Sequence, residues 1–183
     1  MYEQIQHTIE EMFLDRGYEN IKKIPLADAD FNLMAKAKHN TSDIWVFYTN
    51  QKIGKNELLK FFNDDYKTKH IMVVSQEELT SYAKLVLTEK QKEGFKIEFF
   101  LAKQLMFNIS KHVFQPSFRL LSKEETETLL KQLQCKLLQL NKISRNDPMV
   151  RYYDAQPKQV FEIKRDTLRG DRHDRGITFR VVV

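Results

Sequence analysis

The chain has few residues that form disulfides, make the backbone flexible or break helices. Its 183 residues include one cysteine, five glycines and four prolines. The lone Cys135 cannot form an internal disulfide, which excludes the small secreted domains that depend on disulfides. No apolar run approaches the roughly 18 residues that span a bilayer, which excludes a membrane-inserted protein. The start, MYEQIQHTIEEMF, is acidic and amphipathic where a secretory signal would be basic and then apolar, so we expect an intracellular, reducing compartment.

Sites for metals, nucleotides and covalent catalysis are also missing from the sequence. Five glycines cannot build a glycine-rich phosphate cradle, and neither the P-loop pattern nor the dinucleotide-binding pattern occurs. Cys135 lies among leucines, where a small half-buried packing residue is more common than a nucleophile. The histidines are far apart, and none has zinc-ligand spacing to a cysteine or another histidine: His7, His39, His70, His112 and His173. We therefore expect no metal, no cofactor and no small-molecule substrate.

The charge is moderate overall and uneven along the chain. Charged residues make up 30% of the sequence, hydrophobic residues 42%, and the formal net charge is +5. Residues 1–110 carry 15 Lys and Arg against 16 Asp and Glu, whereas residues 111–183 carry 15 against 9. This basic C-terminal excess is consistent with an acidic partner, either nucleic acid or the acidic surface of a protein complex, and equally with a solvated basic face.

Helices and strands alternate along the first 110 residues, which predicts an α/β layer structure. Apolar residues at helical spacing predict a first helix over residues 2–16 and a second within NELLKFF, after Gly54. Ser75 and Glu78 form an S-x-x-E capping box that predicts a helix starting there and reaching about Leu87. Short apolar runs predict strands at 44–49, the first of them internal to its sheet, and at 71–75, 96–100 and 105–109. We expect residues 19–42 to be irregular, with one short helical turn at 31–36.

A second domain is expected over residues 111–183, because near Pro116 the predicted helices and strands become more widely spaced and charged residues become more frequent. Ser122 with Glu125 forms a second capping box, and it opens a helix that carries Leu129, Leu130, Leu133, Leu137 and Leu138. Asp147 and Pro148 are typical of the cap and first residue of a short helix. Alternating residues at 159–165 and 176–183 predict a β-hairpin, with the charged stretch 166–175 as a long loop.

From the residues alone, two different functions remain open. The first is a small metal-dependent nuclease, with Asp43 and Glu98 as carboxylates and Lys96 beside them, although in such cores the acid usually precedes the lysine. The second is a free-standing DNA-binding module formed by the basic C-terminal part. The arginines of the 166–175 stretch suit phosphate contacts, yet its three aspartates make it nearly neutral, which favours protein contacts.

The residues from Val113 to the end resemble the fifth subunit shared by the eukaryotic nuclear RNA polymerases and its shorter counterpart in the archaeal RNA polymerase. The matching elements keep their order and spacing. They are a short strand before Pro116, the capped helix, the L-x-x-I element at 140–143, the Asp147-Pro148 start with its two tyrosines, the V-x-x-I-x-R strand ending at Arg165, and the closing strand with Arg180. Residues 1–110 look like the eukaryotic jaw domain, through DRGY at 15–18, IWVFY at 44–48 and FNIS at 107–110.

This resemblance implies an α+β protein in two parts: an N-terminal α/β jaw domain with a mixed sheet over 1–110, and a small α+β assembly domain over 111–183 that ends in a β-hairpin. It implies a non-catalytic subunit of a DNA-directed RNA polymerase, not an enzyme in itself. The assembly domain would dock on the largest subunit through an available strand edge and through Asp147, Pro148, Arg165 and Arg180. The jaw would lie near downstream duplex DNA, with Ser81 and Lys84 closest to the duplex.

Some positions depart from the family pattern. The family commonly has proline where this chain has Asn141, glycine where it has Lys158 and tyrosine where it has Phe179, and its final hairpin loop is shorter. Divergence together with a retained jaw is what we expect of a polymerase encoded by a large DNA virus, and the alternative is a divergent eukaryotic copy. The expected location is the nucleus for a cellular protein, and the cytoplasmic viral factory or the virion for a viral one.

Overall fold

The computed structural model describes residues 1–24, 32–38, 43–59, 62, 69–169 and 172–183. It divides the chain into two compact units, Met1–Phe107 and Asn108–Val183. Both units combine helices with a sheet, so the predicted α+β class is confirmed. Within the described residues, no helix combines the length and the apolar character that crossing a bilayer requires.

The first unit is built around a mixed five-stranded sheet. Its strands lie side by side in chain order: β1 Glu19–Lys23, β2 Asn32–Lys38, β3 Asp43–Thr49, β4 His70–Ser75 and β5 Lys96–Leu101. The pairs β1–β2 and β2–β3 are antiparallel, whereas β3–β4 and β4–β5 are parallel. The helices are α1 Tyr2–Asp15, α2 Lys55–Leu59 and α3 Ser81–Lys92.

Helices cover both faces of β3 and β4, which explains why the middle of each strand is apolar. On one face, α2 and α3 pack on a cluster made by Phe47, Ile53, Leu58, Ile71, Val73, Leu79, Ala83 and Val86. On the other face lies α1, whose Tyr2 ring centroid is 5.3 Å from that of Tyr48. The internal position predicted for the 44–49 strand is confirmed, because a strand buried on both faces reads as a continuous apolar run.

The prediction of an irregular segment over residues 19–42 was wrong at 19–23 and 32–38, and residues 25–31 and 39–42 lie outside the described residues. Two strands lie there: β1 pairs with β2, and β2 pairs with β3. Their alternation is weak because β2 buries small alanines and because a bulge breaks the register of β1 near Asn20, whose φ is 52°. Tertiary pairing with β3 therefore decides the conformation. Part of the proposed turn at 31–36, residue 31, lies outside the described residues.

The capping box predicted at Ser75 was also wrong. Ser75 ends β4, where it pairs with Thr49 and Leu101, and its Oγ accepts from the Glu77 backbone N–H at 3.2 Å. Helix α3 begins at Ser81 instead, and its N-cap is Thr80, whose hydroxyl accepts from the Ala83 N–H at 3.2 Å. Pairing in the middle of a parallel sheet outweighs a local cap, since the sheet satisfies more backbone groups.

The short strand predicted at residues 105–109 is absent as well. The chain leaves β5 in a 3-10 turn over Ala102–Leu105, and a second 3-10 turn follows over Ile109–Lys111. The first turn starts where the Gln104 side chain accepts from the Leu101 backbone N–H at 3.1 Å. Local side-chain bonding of this kind ends the sheet, although the residues themselves are apolar.

The second unit has a four-stranded sheet in the order β6-β8-β9-β7. The strands are β6 Ser117–Leu120, β7 Asn141–Ile143, β8 Val160–Arg169 and β9 Arg172–Val182, with helices α4 Lys123–Gln132 and α5 Pro148–Tyr152. One face of the sheet carries a cluster with Val150 and Tyr153 around Phe161, and the other packs Leu129 and Leu130 on Val160 and Val181. The sheet is thus a central layer with a helix on each side.

The predicted capping box of α4 is confirmed, because Ser122 and Glu125 bond each other's backbone N–H groups at 3.1 and 2.8 Å. The helix is shorter than its leucines indicated, and it ends before Leu133. Gln134 follows in the left-handed region at φ 49°, and the next N–H, that of Cys135, bonds the Leu130 carbonyl. Cys135 is half-buried against the leucine cluster, which confirms a packing position.

The closing hairpin is confirmed, but its long loop is not. Strands β8 and β9 remain paired through the charged stretch as far as Arg169 and Arg172, so only residues 170 and 171 connect them. The charged composition of this stretch indicated a loop. Backbone hydrogen bonds between strands do not require apolar side chains, so a charged stretch can still form paired strands.

Candidate interface residues and a buried ionic network

Asp147 and Pro148, two of the residues expected at a subunit interface, form the start of α5. The Asp147 carboxylate accepts from the Met149 backbone N–H at 2.9 Å, and Pro148 occupies the first helical position. The helix they start buries Met149, Val150 and Tyr152. Both residues therefore shape the core of the second unit, whatever else they contact.

Arg165 and Arg180, the other two candidates, lie on the paired strands β8 and β9. Arg165 is exposed and opposite Gly176. Arg180 is half-buried, and its guanidinium donates to the Lys142 backbone carbonyl on β7 at 3.2 Å. Arg165 thus offers an exposed cation, whereas Arg180 already serves the edge strand of its own sheet.

Each outer strand of the second sheet has a backbone carbonyl that accepts a hydrogen bond from a side chain, which the sequence did not reveal. On β6 the Phe118 carbonyl accepts from the Tyr153 hydroxyl at 3.2 Å, and on β7 the Lys142 carbonyl accepts from Arg180. Each bond occupies one carbonyl of its strand, and docking through an available strand edge stays a prediction.

An ionic network of two exposed side chains and the buried Glu162 joins α4 to the sheet of the second unit. Arg119 on β6 donates to Glu162 on β8 at 2.8 Å and to Glu125 of α4 at 2.5 Å. The hydrogen bond from Arg119 lowers the pKa of the Glu162 carboxyl, and its bond to Glu125 lowers the pKa of that carboxyl too. The residues that cap α4 therefore also orient the helix on the sheet.

Ser81 and Lys84, the residues expected near DNA, are exposed in the first turns of α3. Large apolar side chains beside them are exposed as well, namely Tyr82 at 74% and Leu85 at 60%. A helix N-terminus with a lysine and an exposed tyrosine can contact a phosphate chain through charge, backbone dipole and the phenol hydroxyl.

A buried ionic network, which sequence reasoning missed, lies on the α1 face of the first sheet. The Arg16 guanidinium makes a two-pronged contact with the Glu98 carboxylate, at 3.0 and 2.8 Å. His70 Nε2 is 2.7 Å from the same carboxylate, and its Nδ1 is 3.2 Å from the Tyr18 hydroxyl. The side chains of Arg16 and His70 are each only 3% exposed.

The charge state of this network follows from its geometry. Burial alone would raise the pKa of Glu98, but the Arg16 charge and the hydrogen bonds from His70 and Arg16 outweigh burial and hold it at about 2. Glu98 is therefore an anion and accepts, which requires a proton on His70 Nε2. The network ties the end of α1 to β4 and β5 within the first unit.

The nuclease alternative finds no support in this arrangement. Both oxygens of Glu98 accept hydrogen bonds from Arg16 or His70, so the buried cation of the same unit already balances this carboxylate. Asp43 is exposed at the start of β3, and Lys96 lies two strands away across β4.

Comparison with known proteins agrees with these observations. The family model described as "RNA polymerase Rpb5, C-terminal domain" matches residues 107–182. The chain is 30% identical to the "DNA-directed RNA polymerases I, II, and III subunit rpabc1" of Dictyostelium discoideum over 192 residues, covering 98% of this chain and 96% of that protein.

Viral and archaeal proteins match as well. "DNA-directed RNA polymerase subunit 5" of Acanthamoeba polyphaga mimivirus is 30% identical over 138 residues, or 75% of this chain and 63% of that protein. "DNA-directed RNA polymerase subunit Rpo5" of Thermococcus kodakarensis is 45% identical over 65 residues, or 36% of this chain and 79% of that protein. These matches confirm the resemblance drawn from the sequence: the chain belongs to the family of the fifth subunit of DNA-directed RNA polymerases.

Proposed function

We propose that this chain is a non-catalytic subunit of a multisubunit DNA-directed RNA polymerase, whose C-terminal unit docks on the largest subunit and whose N-terminal unit, the jaw, lies near downstream duplex DNA. The observation that carries the proposal is the match to a polymerase subunit along nearly the whole of both chains. Catalysis would belong to other subunits. The compartment follows the polymerase: the nucleus in a cell, or the viral factory or virion for a virus.

The size of the archaeal relative supports docking by the C-terminal unit. Its 65 aligned residues are 79% of its length, so it has about 80 residues in all, which is one small domain. A relative of that size has no room for a jaw of the kind seen in residues 1–107. The family model matches residues 107–182, a stretch of about that size, so we take the shared part to be the C-terminal unit and assign assembly to it.

Within the C-terminal unit, Arg165 is the best-placed docking residue, because it is exposed and presented by a paired strand. Asp147 and Pro148 would contribute through the shape of α5. Arg180 would contribute through the guanidinium N–H groups that do not bond the Lys142 carbonyl. Arginine suits such a site, since its planar fork can bind a partner carboxylate with two hydrogen bonds.

The docking proposal is tested by co-purification of the tagged full-length chain with the two largest polymerase subunits. Arg165→Glu should reduce recovery at least about tenfold, since reversing an interfacial charge costs upwards of about 1.4 kcal/mol. Lys131→Glu is the matched control, because Lys131 is an exposed cation on α4 of the same unit. Equal recovery of both variants would contradict docking through Arg165, and a wild-type chain recovered alone would contradict the whole proposal.

The DNA proposal is tested in the assembled polymerase. Lys84→Glu should weaken its hold on downstream duplex and lower the dependence of affinity on salt, because a phosphate contact releases about one counterion. Lys92→Glu, an exposed lysine at the other end of the same helix, is the control. Equal DNA affinity and equal salt dependence of the two variant polymerases would argue against placing the start of α3 at the duplex.

A further inference from the structure

A tight turn at residues 112–115 displays two apolar side chains to solvent. Val113 is 92% exposed and Phe114 is 88% exposed, the highest values among the exposed large apolar residues of the described chain. Turn tips usually carry Gly, Asn, Asp, Pro or Ser, each for a conformational reason. A valine and a phenylalanine at such a tip neither favour the turn conformation nor pack in the hydrophobic core. Departures of this kind concentrate at functional sites.

The turn is held in shape by its own hydrogen bonds. The Gln115 N–H donates to the His112 carbonyl at 2.8 Å, which closes the turn, and the Phe114 N–H donates to His112 Nδ1 at 3.2 Å. The rings of His112 and Phe114 have centroids 5.8 Å apart. Pro116 then limits the backbone that leaves the turn.

The base of the turn is fixed to the body of the second unit. Just before it, the Asn108 amide donates to the Tyr152 hydroxyl of α5 at 3.0 Å, and its carbonyl oxygen accepts from Ser110 N–H at 2.9 Å. Just after it, β6 begins at Ser117 and pairs with β8. The two side chains are thus held outward on a rigid support, which lowers the entropy lost when a partner binds them.

The charge around the turn indicates the partner. Within the second unit, the sequence from Asn108 to Lys123 contains no Asp or Glu, while it contains Lys111, Arg119 and Lys123. Arg119 bonds two carboxylates of its own unit, and Lys111 and Lys123, on either side of the apolar tip in sequence, are both exposed. An apolar tip beside a cation, with no acid nearby in sequence, complements an apolar pocket with an acidic rim.

We infer that Val113 and Phe114 form a preorganised apolar anchor that inserts into an apolar pocket with an acidic rim on another protein subunit of the polymerase. The inference rests on the proposed function, because it takes the partner to be a subunit of the same assembly. An aromatic anchor in a pocket is typical of the few residues that dominate the binding energy of an interface.

The test uses the full-length tagged chain in two ways. Val113→Ser combined with Phe114→Ser should raise the dissociation constant for polymerase lacking this subunit at least about 30-fold, the usual loss for a dominant anchor. The matched control is Leu138→Ser, an apolar residue of the same unit that is 75% exposed. All three side chains are largely exposed, so the variants should keep the wild-type circular dichroism and melting temperature.

A photocrosslinking amino acid at position 114, with position 138 as control, identifies what the anchor touches. Crosslinking from 114 alone to a polymerase subunit, at a peptide combining apolar residues with Asp or Glu, is the expected result. Crosslinks to nucleic acid, to a second copy of this chain or to nothing in the purified polymerase would overturn the inference, as would affinity equal to that of the control. In each of these cases wild-type protein still recovers the polymerase. Failure of that recovery would instead count against the proposed function itself.

Discussion

Replacement of Glu98 by glutamine should destabilise the first unit more than any other single change to a charged residue described above. The glutamine leaves Arg16, whose side chain is 3% exposed, without its counter-charge. Breaking a buried ion pair from one side costs about 3 to 5 kcal/mol, because the remaining charge keeps its desolvation penalty. Against a typical domain stability of about 5 to 15 kcal/mol, this loss should bring the unit close to unfolding.

The same network predicts an acid-sensitive stability. The pKa of Glu98 is about 2 in the folded chain, against roughly 4.3 for an unfolded glutamate, so the unfolded state binds the proton first as the pH falls. The stabilisation is fully present above about pH 5 and is lost as the pH falls toward 2. The shift corresponds to on the order of 3 kcal/mol at neutral pH.

Trp45, the single tryptophan of the chain, lies on β3 and reports on the first unit by its fluorescence. Urea unfolding should be followed at pH 7 and then stepwise to pH 2.5 for wild type, for Glu98→Gln and for Glu89→Gln, an exposed carboxylate on α3 as control. Arg16→Met combined with Glu98→Gln should recover part of the loss, since it leaves no buried charge unpaired. A loss below about 1 kcal/mol in Glu98→Gln at pH 7, or equal pH profiles for wild type and variant, would refute this reasoning.

Three further changes probe the second unit, each by urea unfolding followed by circular dichroism. Asp147→Ala should cost about 1 kcal/mol through loss of the helix cap, and Asp147→Asn, which keeps an acceptor oxygen, should cost less. Lys158→Gly should stabilise by about 1 kcal/mol because the residue has φ 73°, and no gain would mean that the backbone strain is already relieved. Tyr153→Phe should cost about 1 kcal/mol by leaving the Phe118 carbonyl unpaired, and a neutral effect would show that water replaces the hydroxyl.

Local signals predicted much of the C-terminal unit. The capping box at Ser122, the Asp147-Pro148 start and the alternation of the closing hairpin are each satisfied within a few residues, so they survive in any tertiary context. The resemblance also marked Lys158 as a position where glycine is expected, and the positive φ there gives a physical reason for that expectation. The roles of Arg165, Arg180, Ser81 and Lys84 toward partners stay predictions.

Long-range contacts decided the rest. Residues 19–42 carry no strong periodicity; β2 forms because β3 offers it a partner, and β1 forms because β2 does. Ser75 has the local pattern of a helix cap but is needed by its neighbours in the parallel sheet. Arg16, His70 and Glu98 are separated by 28 or more positions, and no spacing rule connects them. Composition, capping and alternation are local properties that the sequence determines by itself, whereas the pairing of distant strands and buried charges depends on which surfaces the fold brings together.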